Sequence, residues 1–350
     1  LTSSVPFLSR LRADATGPRR LALPATLALA ASLAGLLPVP LAEARTSPPS
    51  AAAREHFAGR VAVHGERKLF LECRGSGSPT VVLESGLGNA ADVWGSAFLR
   101  AGNPAADPQH AVFPSVARFA RVCAYDRPGT ARMKPRSGAF APSRSDPAAM
   151  PRTARDVADD LHALLHEAPR AAGVHPPYVL VGHSFGGLAQ RLYATTYPRD
   201  VAGLVLVDAT PDRYPEVLAR LSRSGLLTPE QYAAVTVQSP PPGLETYEDL
   251  ERIAMDASGA QMQQAQADTP MPAMPFTFLS LPALTLPPDW SPQATRALQR
   301  MYATTQKNLR RLTPSARHVV ATGSSHYIQL DRPRLVTAAV RRVVERARPR

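Results

Sequence analysis

Long apolar runs, internal repeats and lysine are what this 350-residue chain has least of. Beyond residue 44 no apolar segment is long enough to span a bilayer as a helix, which excludes a bundle of membrane-spanning helices there. No self-similarity of solenoid or propeller length is present, which excludes the repeat architectures. The chain carries a net charge of +12 with a pI near 10.3, yet Lys68, Lys134 and Lys307 are its only lysines. The remaining basic residues are scattered arginines, and no aromatic-and-basic module accompanies them. That pattern reads as a solvated basic surface and points to no nucleic-acid partner. Only two cysteines occur, Cys73 and Cys123.

What is there is ordinary globular composition, 44% hydrophobic and 19% charged. The 36 prolines cluster near the N-terminus, around 239–242 and at 270–288, where they mark boundaries and loops. Residues 1–44 read as an export signal. Arg10, Arg12, Arg19 and Arg20 form a basic head, Leu21 to Leu41 is apolar, and Ala42-Glu43-Ala44 fits the small-x-small cleavage pattern. Pro24, Pro38 and Pro40 interrupt the apolar run and argue against a permanent span after processing. Export, secreted or periplasmic with cleavage near Ala44, would put both cysteines in an oxidising compartment.

From residue 57 short apolar runs alternate with amphipathic stretches, the sign of an α/β sheet with helices on both faces. Strands are expected at 59–64, 68–73, 81–84, 122–125, 178–182, 204–207 and 317–322. Helices are expected at 153–166, 185–195, 291–308 and 334–346. Residues 212–271 break the rhythm with helix-like pieces at 215–223, 228–236 and 245–257 and no strand. The expected organisation is a signal at 1–44, a linker at 45–56, a core formed by 57–211 with 272–347, and a helical cap at 212–271.

Gly182-His183-Ser184-Phe185-Gly186 is a G-x-S-x-G sequence. Chance supplies such a match in roughly one chain in ten of this size, so its context decides its value. Val179-Leu180-Val181 is a buried strand immediately before it and a helix follows at once, the strand–turn–helix of a nucleophile elbow. A serine hydroxyl needs a base, and nine histidines compete for that role. His162 and His166 lie four apart on a helix without a third ligand, so they read as surface residues and no metal or cofactor is implied. His326 follows the last strand through Gly323-Ser324-Ser325, which puts it at the carboxyl edge of a parallel sheet with Ser184.

The base in turn needs an acid. Asp208 ends the strand Leu204–Val207, and Asp289 follows a Pro-broken segment after the cap. Either preserves the chain order Ser, Asp, His; the clear strand favours Asp208. The oxyanion of the transition state would be met by the N–H of Phe185, just after the nucleophile. The second donor would be the N–H of Leu87, in the turn Ser85-Gly86-Leu87-Gly88 after the strand at 81–84.

Taken together, Leu83–Gly88, Cys123–Gly129, Val181–Gly187, Leu204–Asp208 and Gly323–His326 resemble the α/β-hydrolase superfamily, in its capped esterase and lipase-like branch. The resemblance spans about 57–347. It implies a mostly parallel sheet with helices on both faces and a helical cap inserted after the strand ending at Asp208. Ser85-Gly86 stands where many relatives carry His-Gly, and the segment after the cap lacks the Gly-x-x-Asp ending that bears the acid in many members. That absence shifts weight to Asp208. A serine where haloalkane dehalogenases and epoxide hydrolases have an aspartate argues against their chemistry. The resemblance also makes the strands bearing Cys73 and Cys123 neighbours, so a disulfide between them is expected as a hypothesis.

The expected activity is hydrolysis of a small-molecule carboxylic ester with an apolar acyl part, Leu226, Leu227, Met255 and Met262 either lining an acyl pocket or packing the cap. The same triad serves amide, lactone or C–C bond hydrolysis and acyl transfer. From another class, the chain would be an inactive ligand-binding protein on the same fold.

Overall fold

The computed structural model describes residues 56–95, 110–134, 137–168, 172–237 and 239–348. The expected signal and all of the expected linker but His56 lie outside them. Among the described residues, the strands are β1 (His56–Ala62), β2 (Lys68–Arg74), β3 (Thr80–Glu84), β4 (Val122–Tyr125), β5 (Ala131–Met133), β6 (Phe140–Pro142), β7 (Tyr178–His183), β8 (Val201–Val207), β9 (Phe276–Ser280) and β10 (Ala316–Val320). The helices are α1 (Val112–Val116), α2 (Ala154–Glu167), α3 (Phe185–Thr196), α4 (Tyr214–Arg223), α5 (Pro229–Thr236), α6 (Met255–Asp268), α7 (Pro292–Leu309), α8 (Ile328–Asp331) and α9 (Pro333–Ala347).

Eight strands form one sheet in the order β1-β2-β4-β3-β7-β8-β9-β10, while β5 and β6 pair separately. The β1–β2 and β2–β4 pairings are antiparallel, and every pairing from β4 to β10 is parallel. Apolar residues run through β3, β7 and β8 because helices cover both faces of these central strands. The period-2 pleat then sorts them. Val81, Leu83, Val179, Val181, Val205 and Val207 join one core with α1 and α9, whereas Val82, Leu180, Leu204 and Leu206 join another with α2 and α3.

Local sequence accounts for the covering helices. In α2, Val157, Leu161, Leu164 and Leu165 are buried as their spacing predicts, and Thr153 with Asp156 closes a capping box at its start. In α9, Val336, Val340, Val343 and Val344 face the sheet. The first strand begins three residues before the expected position, and His64 instead occupies the turn to β2 with φ 47. The disulfide Cys73–Cys123 is present, its cysteines directly opposed across β2 and β4.

Among the described residues between β8 and β9 there are three helices and no strand, and one of the helices differs from the expected piece. The helix expected at 245–257 does not form; α6 starts only at Met255. Tertiary hydrogen bonds claim the backbone before it: Glu251 N–H donates to Gly129 C=O at 2.8 Å, Arg152 N–H to Arg252 C=O at 2.8 Å, and Ala254 N–H to Arg152 C=O at 2.8 Å. These extended pairings are incompatible with helical bonds over the same residues.

Candidate active site

Parallel strands deliver their carboxyl ends to one edge, and there the molecule gathers its chemistry. Ser184 follows β7, Asp208 follows β8, the turn 85–88 follows β3, and His326 lies beyond β10. Ser184 holds φ 53 and ψ −124, a backbone state costly for any residue with a side chain. It persists because its surroundings leave no alternative. Ser184 N–H donates to Val207 C=O at 3.1 Å, and Ser184 C=O accepts from Gly187 at 2.9 Å and Thr210 at 3.0 Å. The turn can close only with glycine beside it: a Cβ on Gly182 would sit 2.5 Å from Gly186 O, and one on Gly186 2.4 Å from Ser85 O. The serine thus stands at the N-terminus of α3, where the helix dipole favours negative charge.

His326 and Asp208 meet directly. His326 Nδ1 lies 2.7 Å from Asp208 Oδ2, so Nδ1–H donates and Nε2 is left free to accept a proton. The second carboxylate oxygen, Oδ1, accepts from the Tyr302 hydroxyl at 2.5 Å, and that hydroxyl accepts from Leu281 N–H at 2.9 Å. Burial alone would push the Asp208 carboxyl up. The bonds from His326 and Tyr302 outweigh it and hold the group below the usual carboxylate range. Burial and the neighbouring carboxylate push the Tyr302 phenol up, so it stays a proton donor. Asp289, the other candidate acid, is exposed and accepts from Gln231 Nε2 at 3.1 Å.

His183, inside the elbow, is fully buried beside His326, with ring centroids 4.7 Å apart. Its Nε2–H donates to the His326 carbonyl at 3.0 Å, tying the elbow to the histidine loop. Burial, then the nearby His326, push its imidazole down to about 3, so it is neutral at ordinary pH. Asp331 secures the same loop through Ser325 N–H at 2.7 Å. Among the described residues Ser184 Oγ has one hydrogen-bond partner, Thr210 Oγ1 at 3.4 Å, and does not yet meet His326. Such contacts commonly tighten only when substrate arrives.

The N–H groups of Leu87 and Phe185 donate to no group among the described residues. Ser85 steadies the turn that carries Leu87: its hydroxyl donates to Ala90 C=O at 3.0 Å and accepts from Trp94 Nε1 at 3.1 Å. The four apolar residues offered for an acyl pocket divide. Leu227 packs with Trp290, Leu298 and Met301, with Leu226 partly buried against them. Met262 is sealed under Phe185 and Leu188, while Met255 and Leu87 are half-buried on that cluster. His162 stacks on Tyr197 at 3.8 Å and lies 3.2 Å from Asp200. Among the described residues no group of three or more metal-ligating side chains occurs, and no helix is long and apolar enough to cross a membrane.

Tyr302 and Thr210 escaped the sequence reading. Tyr302 lies 94 residues from Asp208, and its only local signal is a place on the buried face of an amphipathic helix.

Comparison with known proteins agrees with this architecture. The model of the alpha/beta hydrolase family matches residues 61–340. A probable transporter, efuK, of Hormonema carpetanum is 27% identical over 328 residues, 80% of this chain but 42% of that protein's length. An AB hydrolase superfamily protein of Gibberella zeae is 24% identical over 283 residues, covering 65% of this chain and 79% of the relative. Among solved structures, a thermophilic esterase from Thermogutta terrifontis superposes with TM-score 0.50 at 20% identity, over 84% of this chain and 100% of the other. Haloalkane dehalogenase DbeA from Bradyrhizobium elkani does so with TM-score 0.50 at 17% identity, over 83% and 98%. At these identities the superpositions speak for the fold alone. The chain belongs to the alpha/beta hydrolase family.

Proposed function

We propose that the protein hydrolyses a small-molecule carboxylic ester through an acyl-enzyme on Ser184. The observation that carries this reading is the 2.7 Å pairing of His326 with a buried, doubly hydrogen-bonded Asp208 at the sheet edge that also presents Ser184. His326 Nε2 takes the Ser184 proton as Oγ attacks the acyl carbon, and returns it to the leaving alcohol. Leu87 and Phe185 N–H groups receive the developing oxyanion. Water, activated by the same histidine, then releases the acid and restores the hydroxyl.

Export of the protein is part of the proposal. The basic-apolar-small order of residues 1–44 supports it, as does the disulfide Cys73–Cys123, a bond characteristic of oxidising compartments. Recovery of a mature chain that still begins before Ala44 in the cytosolic fraction alone would refute it.

Labelling by a fluorophosphonate probe tests the nucleophile: folded wild-type protein reacts and Ser184→Ala does not. A panel of p-nitrophenyl esters of increasing acyl length tests the substrate class. Failure of the wild type to label would favour the inactive ligand-binding alternative. Labelling with cleavage of amides or lactones but no acyclic ester would move the reading to those bonds.

A further inference from the structure

Arg127, Glu84 and Glu251 form an ionic cluster beneath the turn that carries Leu87. Their side chains are 2%, 1% and 0% exposed. Arg127 Nη1 donates to Glu84 Oε1 at 2.5 Å, and its Nε and Nη2 donate to the two oxygens of Glu251 at 2.6 and 2.8 Å. Tyr125 OH closes the other side of Glu84. So complete a pairing of buried charges is expected to tolerate little displacement.

The remaining bonds of the cluster go to the turn itself. Arg127 Nη1 donates to Ser85 C=O at 2.8 Å and Nη2 to Gly86 C=O at 2.8 Å, while Glu251 Oε2 accepts from Gly88 N–H at 2.7 Å. The Gly86 carbonyl and the Leu87 N–H belong to one planar trans peptide and point in opposite directions. A guanidinium fixed on the carbonyl therefore aims the N–H away from itself and polarises it as a donor. The turn also abuts the serine: a Cβ on Gly86 would lie 3.2 Å from Ser184 Cβ.

Glu251 comes from the segment between β8 and β9, 124 residues from Arg127. Its backbone is seated on Gly129, where a Cβ would fall 2.4 Å from Asp249 O and 2.5 Å from Glu251 N. Asp126-Arg127-Pro128-Gly129 thus supplies both the guanidinium and the only residue type that lets the segment approach.

We propose that Arg127 and Glu251 are positioning residues for the oxyanion site, through which docking of the 212–271 segment aligns and strengthens the Leu87 N–H donor. This rests on the serine-hydrolase reading. The test uses the full chain and its variants Arg127→Lys and Glu251→Gln, with active sites counted by fluorophosphonate titration. Hydrolysis of p-nitrophenyl acetate and inhibition by phenylboronic acid, whose tetrahedral adduct on Ser184 places an oxygen in the oxyanion site, are then compared.

With Glu251→Gln, kcat per titrated site is expected to fall about 10-fold with KM within about 2-fold, and the boronate Ki to rise in proportion. Arg127→Lys loses more. A role confined to holding the fold would lower thermal stability and the titrated fraction, leaving kcat per site and Ki unmoved. Both parameters within 2-fold of wild type in the folded variants would overturn the proposal, and Glu251→Gln alone decides if Arg127→Lys does not fold. If the wild type neither labels nor turns over, the serine-hydrolase reading fails first and this inference falls with it.

Discussion

Asp208 and Asp289 differ less in sequence than in surroundings. Both follow Ser184 and precede His326 in the chain, Asp208 at the end of a clear strand and Asp289 after a Pro-broken segment. Asp208 sits at the end of β8 with φ 42, its backbone N–H bonded to Leu279 C=O at 2.9 Å and both oxygens engaged. Asp289 sits in the Pro-rich stretch before α7, exposed, with a single glutamine on its side chain. A carboxylate acts as a triad acid by being held, and a buried strand end holds it where a loop does not.

The sharpest way to break this comparison is to neutralise each acid in turn. Asp208→Asn is expected to lower kcat by about ten-thousand-fold, because an amide no longer stabilises the His326 imidazolium or its tautomer. Ester turnover by purified variants reads it directly, and near-normal turnover by Asp208→Asn would reverse the assignment. Tyr302→Phe sharpens the contrast, since it removes the second support that Asp289 lacks. Loss of a hydrogen bond to a charged group costs about 1.5–3 kcal/mol, and partial transmission to the transition state predicts a kcat about 10-fold lower. A kcat unchanged in this variant would show that Oδ1 needs no donor.

His183 extends the comparison to the imidazoles of the site. Its pKa in the folded protein is depressed to about 3, so the unfolded chain binds the proton more readily. The stability that its neutral form supplies is fully present above about pH 6.5 and is lost as pH falls toward 3, at up to about 1.4 kcal/mol per pH unit. Denaturant melts of the wild type and His183→Gln across pH 4–7 should diverge accordingly, the variant showing the flatter profile. The smallest effect is expected at Asp289→Asn, with kcat within about 2-fold of wild type, since a solvent-exposed side chain away from such features contributes little.

Much of the frame was legible because the central strands are buried on both faces and announce themselves as apolar runs. Ser184 was readable from the same logic: two glycines, a strand before and a helix after leave the backbone one way to turn. Glu251 was not readable. Its helical surroundings made 245–257 look like one more helix, whereas the buried Arg127 and the Arg152 backbone pull that segment straight.

By itself, the sequence determined most strands of the main sheet and the helices that cover them, though not β9, together with the serine elbow and the edge at which His326 and an acid emerge, because these depend on local periodicity and on where parallel strands end. Tertiary structure alone decided which aspartate faces His326, that Tyr302 steadies it, and that Arg127 and Glu251 underpin the Leu87 turn. Those choices depend on distances between groups far apart in the chain, set by packing around one sheet rather than by any neighbouring residue.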